Sequence, residues 1–293
     1  MANLKEVRTR IASVSSTQQI TSAMKMVSAA KFRRAQNAII GMRPYAAMLS
    51  EIIGDIDVED GVQTPYHEVR KPASVLLVVV TSNKGLCGAF NSNVIKEASA
   101  RVSHYTDTLH VDKLSMITIG KRGSEFFAKR KGLVEASYDD MLDNPSFDSI
   151  AALAEQIMQS FCDRKYDYVE LIYNQFKNSL TQILSTEQFL PVEPGKSQKA
   201  AAKQSQRNDY IYEPNKEDIL RNMIPLTLRS QFYRVILDSL AAEHGARMTA
   251  MQKATDNATE LLKDLKLSYN KARQAAITNE IIEIVSGSEA LKG

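Results

Sequence analysis

Residues 3–57 carry apolar side chains at alternating steps of three and four. Leu4, Val7, Ile11 and Val14 open the series, and Phe32, Ala35, Ile39, Met42, Ala46, Leu49, Ile53 and Ile56 continue it. That spacing, held over this length, predicts a helix with a coiled-coil seam. Between the two blocks the seam positions are polar: Gln18, Thr21, Lys25 and Ser28. Apolar residues move over to Ile20, Met24 and Val27 there, so a coil that loosens locally is expected. Pro44, after Gly41, lacks an amide donor and crowds the preceding turn, which predicts a kink.

From residue 73 the pattern changes. "ASVLLVVVTS" is a short continuous apolar run, as in a strand buried on both faces. "KLSMITIG" and "YDYVELIYN" repeat it, "LTQILSTEQFLPV" is a fourth candidate, and helical stretches lie at about 91–104, 121–131 and 146–163. Such alternation predicts a mostly parallel α/β domain over residues 73–192. The polar stretch 193–208 reads as a surface loop. Helical periodicity returns within 209–293, where Leu237, Ala241, His244, Met248, Met251, Thr255, Ala258, Leu262, Leu265, Tyr269, Ala272 and Ala276 keep the step of four and three. Pro225 near its start and Gly245 inside it predict irregular first turns.

At ~1.5 Å per residue the C-terminal helix would span roughly 90 Å. A helix that long depends on burying its stripe. The N-terminal helix, 1–58, has the matching period, and a domain inserted between the two makes them antiparallel. The expected fold class is therefore mixed α+β and α/β: a long antiparallel two-helix coiled coil formed by both termini, with an inserted Rossmann-like α/β domain. The seam stops short of the chain's end. Past Ala276 it lands on Asn279 and Glu283, while Ile277, Ile281, Ile282, Ile284 and Val285 gather elsewhere. A seam that turns polar has lost its partner helix, so this apolar tip should meet a sleeve supplied by other chains.

Composition adds limits. With 293 residues, 44% hydrophobic and 24% charged, the chain has material for a real core. The net charge of +3 hides a basic N-terminus, where eight Lys/Arg in residues 1–50 face one acid, Glu6. An acidic partner surface is expected. Cys87 and Cys162 form no CxxC pair, which suits free thiols in a reducing compartment. The four histidines show no metal-ligand spacing. "MANLKEVRTR" has no signal-peptide pattern and "VLLVVV" is far short of the ~20 apolar residues of a membrane span. Membrane association is expected only through partners.

Candidate chemistry is thin. "TSNKGLCGAFN" (81–91) follows the first strand but lacks the G-x-x-x-x-G-K-[ST] order, as does "GKRGS" (120–124). Tight strand-to-helix turns account for both. No catalytic constellation assembles on spacing, so no active site, cofactor or metal is expected. Few aromatics are interleaved with the basic residues, so no nucleic acid is expected either. Two alternatives remain open on the residues: a nucleotide-binding α/β enzyme with helical arms, separable by nucleotide titration, and a coiled-coil nucleic-acid adaptor, which predicts salt-dependent binding.

"ITSAMKMVSAAKFRRAQ" (20–36), "NKGLCGAFN" (83–91) and the C-terminal "ARMTAMQKATDNATELL" and "LSYNKARQAAITNEIIEIVSG" (246–287) strongly resemble the γ subunit of F-type ATP synthases. The likeness spans essentially the whole chain. It departs in detail at 83–91, with Asn-Lys and Gly-Ala where the family commonly has Asp-Arg and Gly-Gly. The resemblance implies a rotor shaft turning inside a ring of α and β subunits, driven by proton flow through a membrane c-subunit ring, with the nucleotide chemistry held by β. It implies that Met24, Lys25, Arg273, Gln274, Thr278 and Glu280 touch loops of the ring. Ile281, Ile284 and Val285 would form an apolar bearing. Tyr210, Tyr212 and Glu213 would lie at the foot, near the ε subunit and the membrane ring. The implied location is the cytoplasmic face of a bacterial inner membrane.

Overall fold

The computed structural model describes residues 4–60, 64–130, 132–178, 181–192 and 216–290. The long elements are two helices, α1 (Leu4–Asp60) and, at the other end of the chain, α5 (Lys216–Ala290). Between them come β1 (Ser74–Val80), α2 (Phe90–Ser103), β2 (Lys113–Ile119), α3 (Lys121–Phe127), β3 (Val134–Ser137), α4 (Phe147–Cys162), β4 (Tyr168–Phe176) and β5 (Gln182–Leu190). The described residues fall into two compact units: residues 29–247, and residues 1–28 with 248–293.

In the 29–247 unit the strands form one sheet in the order β3-β2-β1-β4-β5. β1 pairs parallel with β2 and β4, β2 parallel with β3, and β4 antiparallel with β5. The central strand is the Val/Leu run of β1, and Val75 to Val80 are all fully buried. Strand alternation divides them. Leu76, Val78 and Val80 face a core shared with Ile150, Leu153, Ile157 and Phe161 of α4. Val75, Leu77 and Val79 face Val94 and Ala98 of α2 and Phe127 of α3. Helices on both faces of a mostly parallel sheet make this a doubly wound fold. Ser146 caps α4, its Oγ accepting from the Ser149 amide at 3.2 Å.

β3 was not expected. It is four residues long and half exposed along its length, so it carries no continuous apolar run. A second difference concerns α5. Its first half does not simply continue a coiled coil: Ile224, Leu228, Phe232, Val235, Ile236 and Leu240 join the sheet's own core. Arg234 ties it further to the edge strand, donating to Glu187 of β5 at 2.9 Å. Ile39 of α1 packs on Leu237 and Ala241 of α5, and Phe32 meets Phe176 of β4 edge-on at 5.4 Å. Helix α1 is continuous through Pro44, and α5 through Pro225 and Gly245. The side chains of Ala46, Ile53 and Ile56 and the segment 193–208 lie outside the described residues.

Candidate interaction surfaces

In the other unit, residues 4–28 of α1 lie antiparallel to α5. Val7, Thr21 and Ser28 are buried from one side, and Met251, Ala258 and Leu262 from the other. Leu4, Ile11, Val14, Leu265, Tyr269, Ala272 and Ala276 are half-buried between them. The polar interval does not loosen the pairing. The Gln18 amide donates across to Thr259 Oγ1 at 2.7 Å, and Thr255 Oγ1 reaches Thr21 Oγ1 at 2.9 Å. Ile20 and Val27, expected to take over the stripe, are each 59% exposed. Gln18 and Thr21 thus fill their seam positions by cross-helix hydrogen bonds, Ser28 donates to the Met24 carbonyl of its own helix, and Ile20 and Val27 face outward.

Paired positions in this coil have residue numbers adding to 276 or 277, so Leu4 falls opposite about residue 272. The next turns of α5 have progressively less cover. Ile281 is 55% exposed, Ile284 71% and Val285 54%. Arg273, Gln274, Thr278 and Glu280 are exposed as well, and Thr278 Oγ1 donates to the Gln274 carbonyl one turn back. Met24 and Lys25, by contrast, are half-buried beside the seam, opposite about residues 251–253. At ~1.5 Å per residue the two groups are separated along the coil by roughly 30 Å. They lie at two levels of one coil. Tyr210, Tyr212 and Glu213 lie outside the described residues.

The sheet has its own candidate site. In doubly wound folds ligands bind beyond the carboxyl ends of the strands, where the strand order reverses. Here that point lies between β1 and β4, and the turn 81–89 follows β1. The chain fills the place with its own helix. Arg247 of α5 donates from Nη2 to the Lys84 carbonyl at 2.6 Å and from Nε to the Gly85 carbonyl at 3.2 Å. Its Nη1 donates to Glu243 Oε1 at 2.6 Å, and both side chains are buried. Cys87 and Phe90 pack against Ala242 and Ala246.

Electrostatics there follow burial. Loss of water pushes the Glu243 carboxyl above its ordinary range, and Arg247 pulls part of the way back. His244 is lowered to about 4, first by burial and then by the charges of Arg247 and Lys31. The glycines of "GKRGS" serve packing. Gly120 has φ 102°, and a Cβ on it would sit 2.3 Å from the Thr81 carbonyl oxygen; one on Gly123 would sit 2.9 Å from Thr81 Oγ1. The Glu243–Arg247 pair was missed from sequence because an i,i+4 acid–base pair usually marks a solvated helix face. Its setting among "SLAA" and "GA" was the available signal. Among the described residues no group of three or more His, Cys, Asp or Glu could hold a metal ion, and both cysteines are free thiols. No described helix is long and apolar enough to cross a membrane.

Comparison with known proteins agrees with this arrangement. The family model for ATP synthase matches residues 3–291. An ATP synthase gamma chain from Flavobacterium johnsoniae is 54% identical over 295 residues, covering 100% of both chains. One from Cytophaga hutchinsonii is 52% identical over 294 residues, covering 99% of each. Among solved structures, a chain of the Tetrahymena thermophila mitochondrial ATP synthase central stalk and c-ring has a TM-score of 0.58 at 28% identity, covering 80% of this chain and 99% of that one. A chain of the Euglena gracilis mitochondrial ATP synthase shares the fold with a TM-score of 0.69 at 21% identity, covering 98% of this chain and 94% of that one. A full-length match to relatives of this identity places the protein: the chain belongs to the ATP synthase gamma chain family.

Proposed function

We propose that the chain is the central rotor shaft of an F-type ATP synthase. It couples proton flow through the membrane ring to ATP synthesis, or hydrolysis, at the β subunits by rotating inside the ring of α and β subunits. The observation that carries this is the end of α5. Leu4, the first described residue of its seam partner, falls opposite about residue 272, and the helix runs on to Ala290 with Ile281, Ile284 and Val285 in the open. Hydrophobic contact is non-directional, so an apolar sleeve holds such a tip without favouring one angle.

Below the tip, Arg273, Gln274, Thr278 and Glu280 form one level of contact with ring loops, and Met24 with Lys25 a second. Solvated charge contacts of this kind are worth about 0–1 kcal/mol each. That suits a surface that must grip and release at each step. Tyr210, Tyr212 and Glu213 are assigned to the foot, against the ε subunit and the c-subunit ring. Membrane association runs through these partners, on the cytoplasmic face of a bacterial inner membrane. The α/β domain supports the axle and binds no nucleotide, its ligand crevice being filled by Arg247 and Ala242.

Co-purification tests the assignment. A tagged chain isolated from its native membranes should bring α, β and ε with it in one assembly that hydrolyses ATP. A chain recovered without any ATP-hydrolysing partner would refute it.

A further inference from the structure

We infer that the polar interval of the coil is a register lock, in which Gln18 with Thr259 and Thr21 with Thr255 select one alignment of the two helices against alignments displaced by a heptad. This goes beyond the rotor assignment and holds whether or not the chain turns.

The need for a lock comes from the rest of the seam. On α5 it is Met251, Ala258, Leu262, Leu265, Ala272 and Ala276, and on α1 it is Leu4, Val7, Ile11 and Val14. A displacement by one heptad exchanges apolar neighbours for apolar neighbours along most of it, and small alanines admit several partners. Hydrophobic contact alone therefore discriminates weakly. Polar seam residues discriminate better: Thr21 is buried and Gln18, Thr255 and Thr259 are half-buried, so a misplaced one loses its bonded partner and part of its access to water.

The geometry shows which slips are penalised. Displacement one way sets Thr255 and Thr259 against Val14 and Ile11. Displacement the other way sets Gln18 and Thr21 against Leu265 and Leu262. The four groups do not contribute equally. Each threonine hydroxyl also has a carbonyl in its own helix: Thr21 reaches Gln18, Thr255 reaches Met251 and Thr259 reaches Thr255. Those protons stay satisfied after a slip. Among the described residues the Gln18 amide has no bond to a carbonyl of its own helix; it donates to Thr259 Oγ1 across the coil. Gln18 is thus the main positioning residue, and the Thr21–Thr255 contact supports it.

Disulfide trapping in the full chain, with Cys87 and Cys162 replaced by alanine, tests the lock. Val7→Cys paired with Tyr269→Cys reports the observed register, and Val7→Cys paired with Ala276→Cys reports the register displaced by one heptad. With the polar residues in place, the first pair should dominate. In the apolar variant Gln18→Leu, Thr21→Val, Thr255→Val, Thr259→Val, the displaced product should rise about threefold to tenfold, the discrimination expected from one half-buried amide and its hydrogen bond. The melting temperature should hold or increase.

Exchanging the pair, Gln18→Thr with Thr259→Gln, restores a cross-helix bond and should restore the single product. This exchange also serves if the apolar variant fails to fold: it is then compared with Gln18→Leu alone, which should show the displaced product. An unchanged product ratio in the apolar variant, or in Gln18→Leu where that is the comparison, overturns the lock. So does an exchanged pair that slips as much as Gln18→Leu.

Discussion

Arg247 shows what one side chain does at the centre of the α/β unit. It satisfies two loop carbonyls and a buried carboxylate together, and holds the turn after β1 against α5. Removing it leaves Glu243 buried without its partner, a change that typically costs ~3–5 kcal/mol. Arg247→Ala should therefore lower stability strongly in chemical denaturation at neutral pH. The loss should depend on pH. Burial already raises the Glu243 carboxyl, and without Arg247 it rises further. A carboxyl raised in the folded state binds more protons there than in the unfolded chain, so stability falls as pH increases from the ordinary carboxylate range through the folded value. The variant should thus be closest to the parent in acid and furthest from it above neutrality. Little of this was visible in the sequence, because Glu243 and Arg247 have the spacing of an exposed ion pair. Gly120 and Gly123 were legible as turn glycines, but their contact with Thr81 belongs to the folded chain. The polar Gln18 and Thr21 were located correctly and their effect misjudged, since spacing on one helix does not reveal the hydroxyl waiting on the other.

The helices and strands were more readable than their partners. β1, β2 and β4 are long apolar runs and stood out, and the step of three and four traced the coil through Leu262, Leu265 and Tyr269 to Ala276. β3 escaped because four half-exposed residues carry too little pattern. The first half of α5 misled for the opposite reason. Ile224, Phe232, Val235 and Ile236 spread over a face roughly 120° wide, a sign of burial against a sheet rather than one narrow seam. Where the seam is narrow, size matters. Ala258 is buried between α1 and α5, and Ala272 is half-buried near the end of the overlap. Replacing both with phenylalanine overpacks the coil, at ~1–3 kcal/mol per site. Melting should occur at a lower temperature, and the assembled complex should lose coupling between ATP hydrolysis and proton transport. Unchanged coupling in a correctly assembled complex would count against the rotor assignment. The tip should behave differently. Ile281→Ser with Ile284→Ser alters exposed residues, so the isolated chain's stability should stay within about 0.5 kcal/mol of the parent. Assembly or rotation should suffer all the same.

Charge and exposure across the chain set how it meets other proteins. Eight basic residues against one acid in residues 1–50 make that end strongly positive, while the chain as a whole is only +3. Association with an acidic partner should slow as salt increases, with the steepest dependence carried by this end. Stopped-flow assembly kinetics at two ionic strengths would measure it, and charge-neutral variants at Lys25 and Arg33 should flatten the response. The bare end of α5 matters even before any complex exists. A newly made copy brings Ile277, Ile281, Ile282, Ile284 and Val285, each 47–71% exposed, into water. Such a surface adheres to whatever apolar surface it meets first, including another copy of itself. Surplus copies are therefore a solubility hazard, and production of this chain has to keep pace with the supply of the sleeve proposed for it.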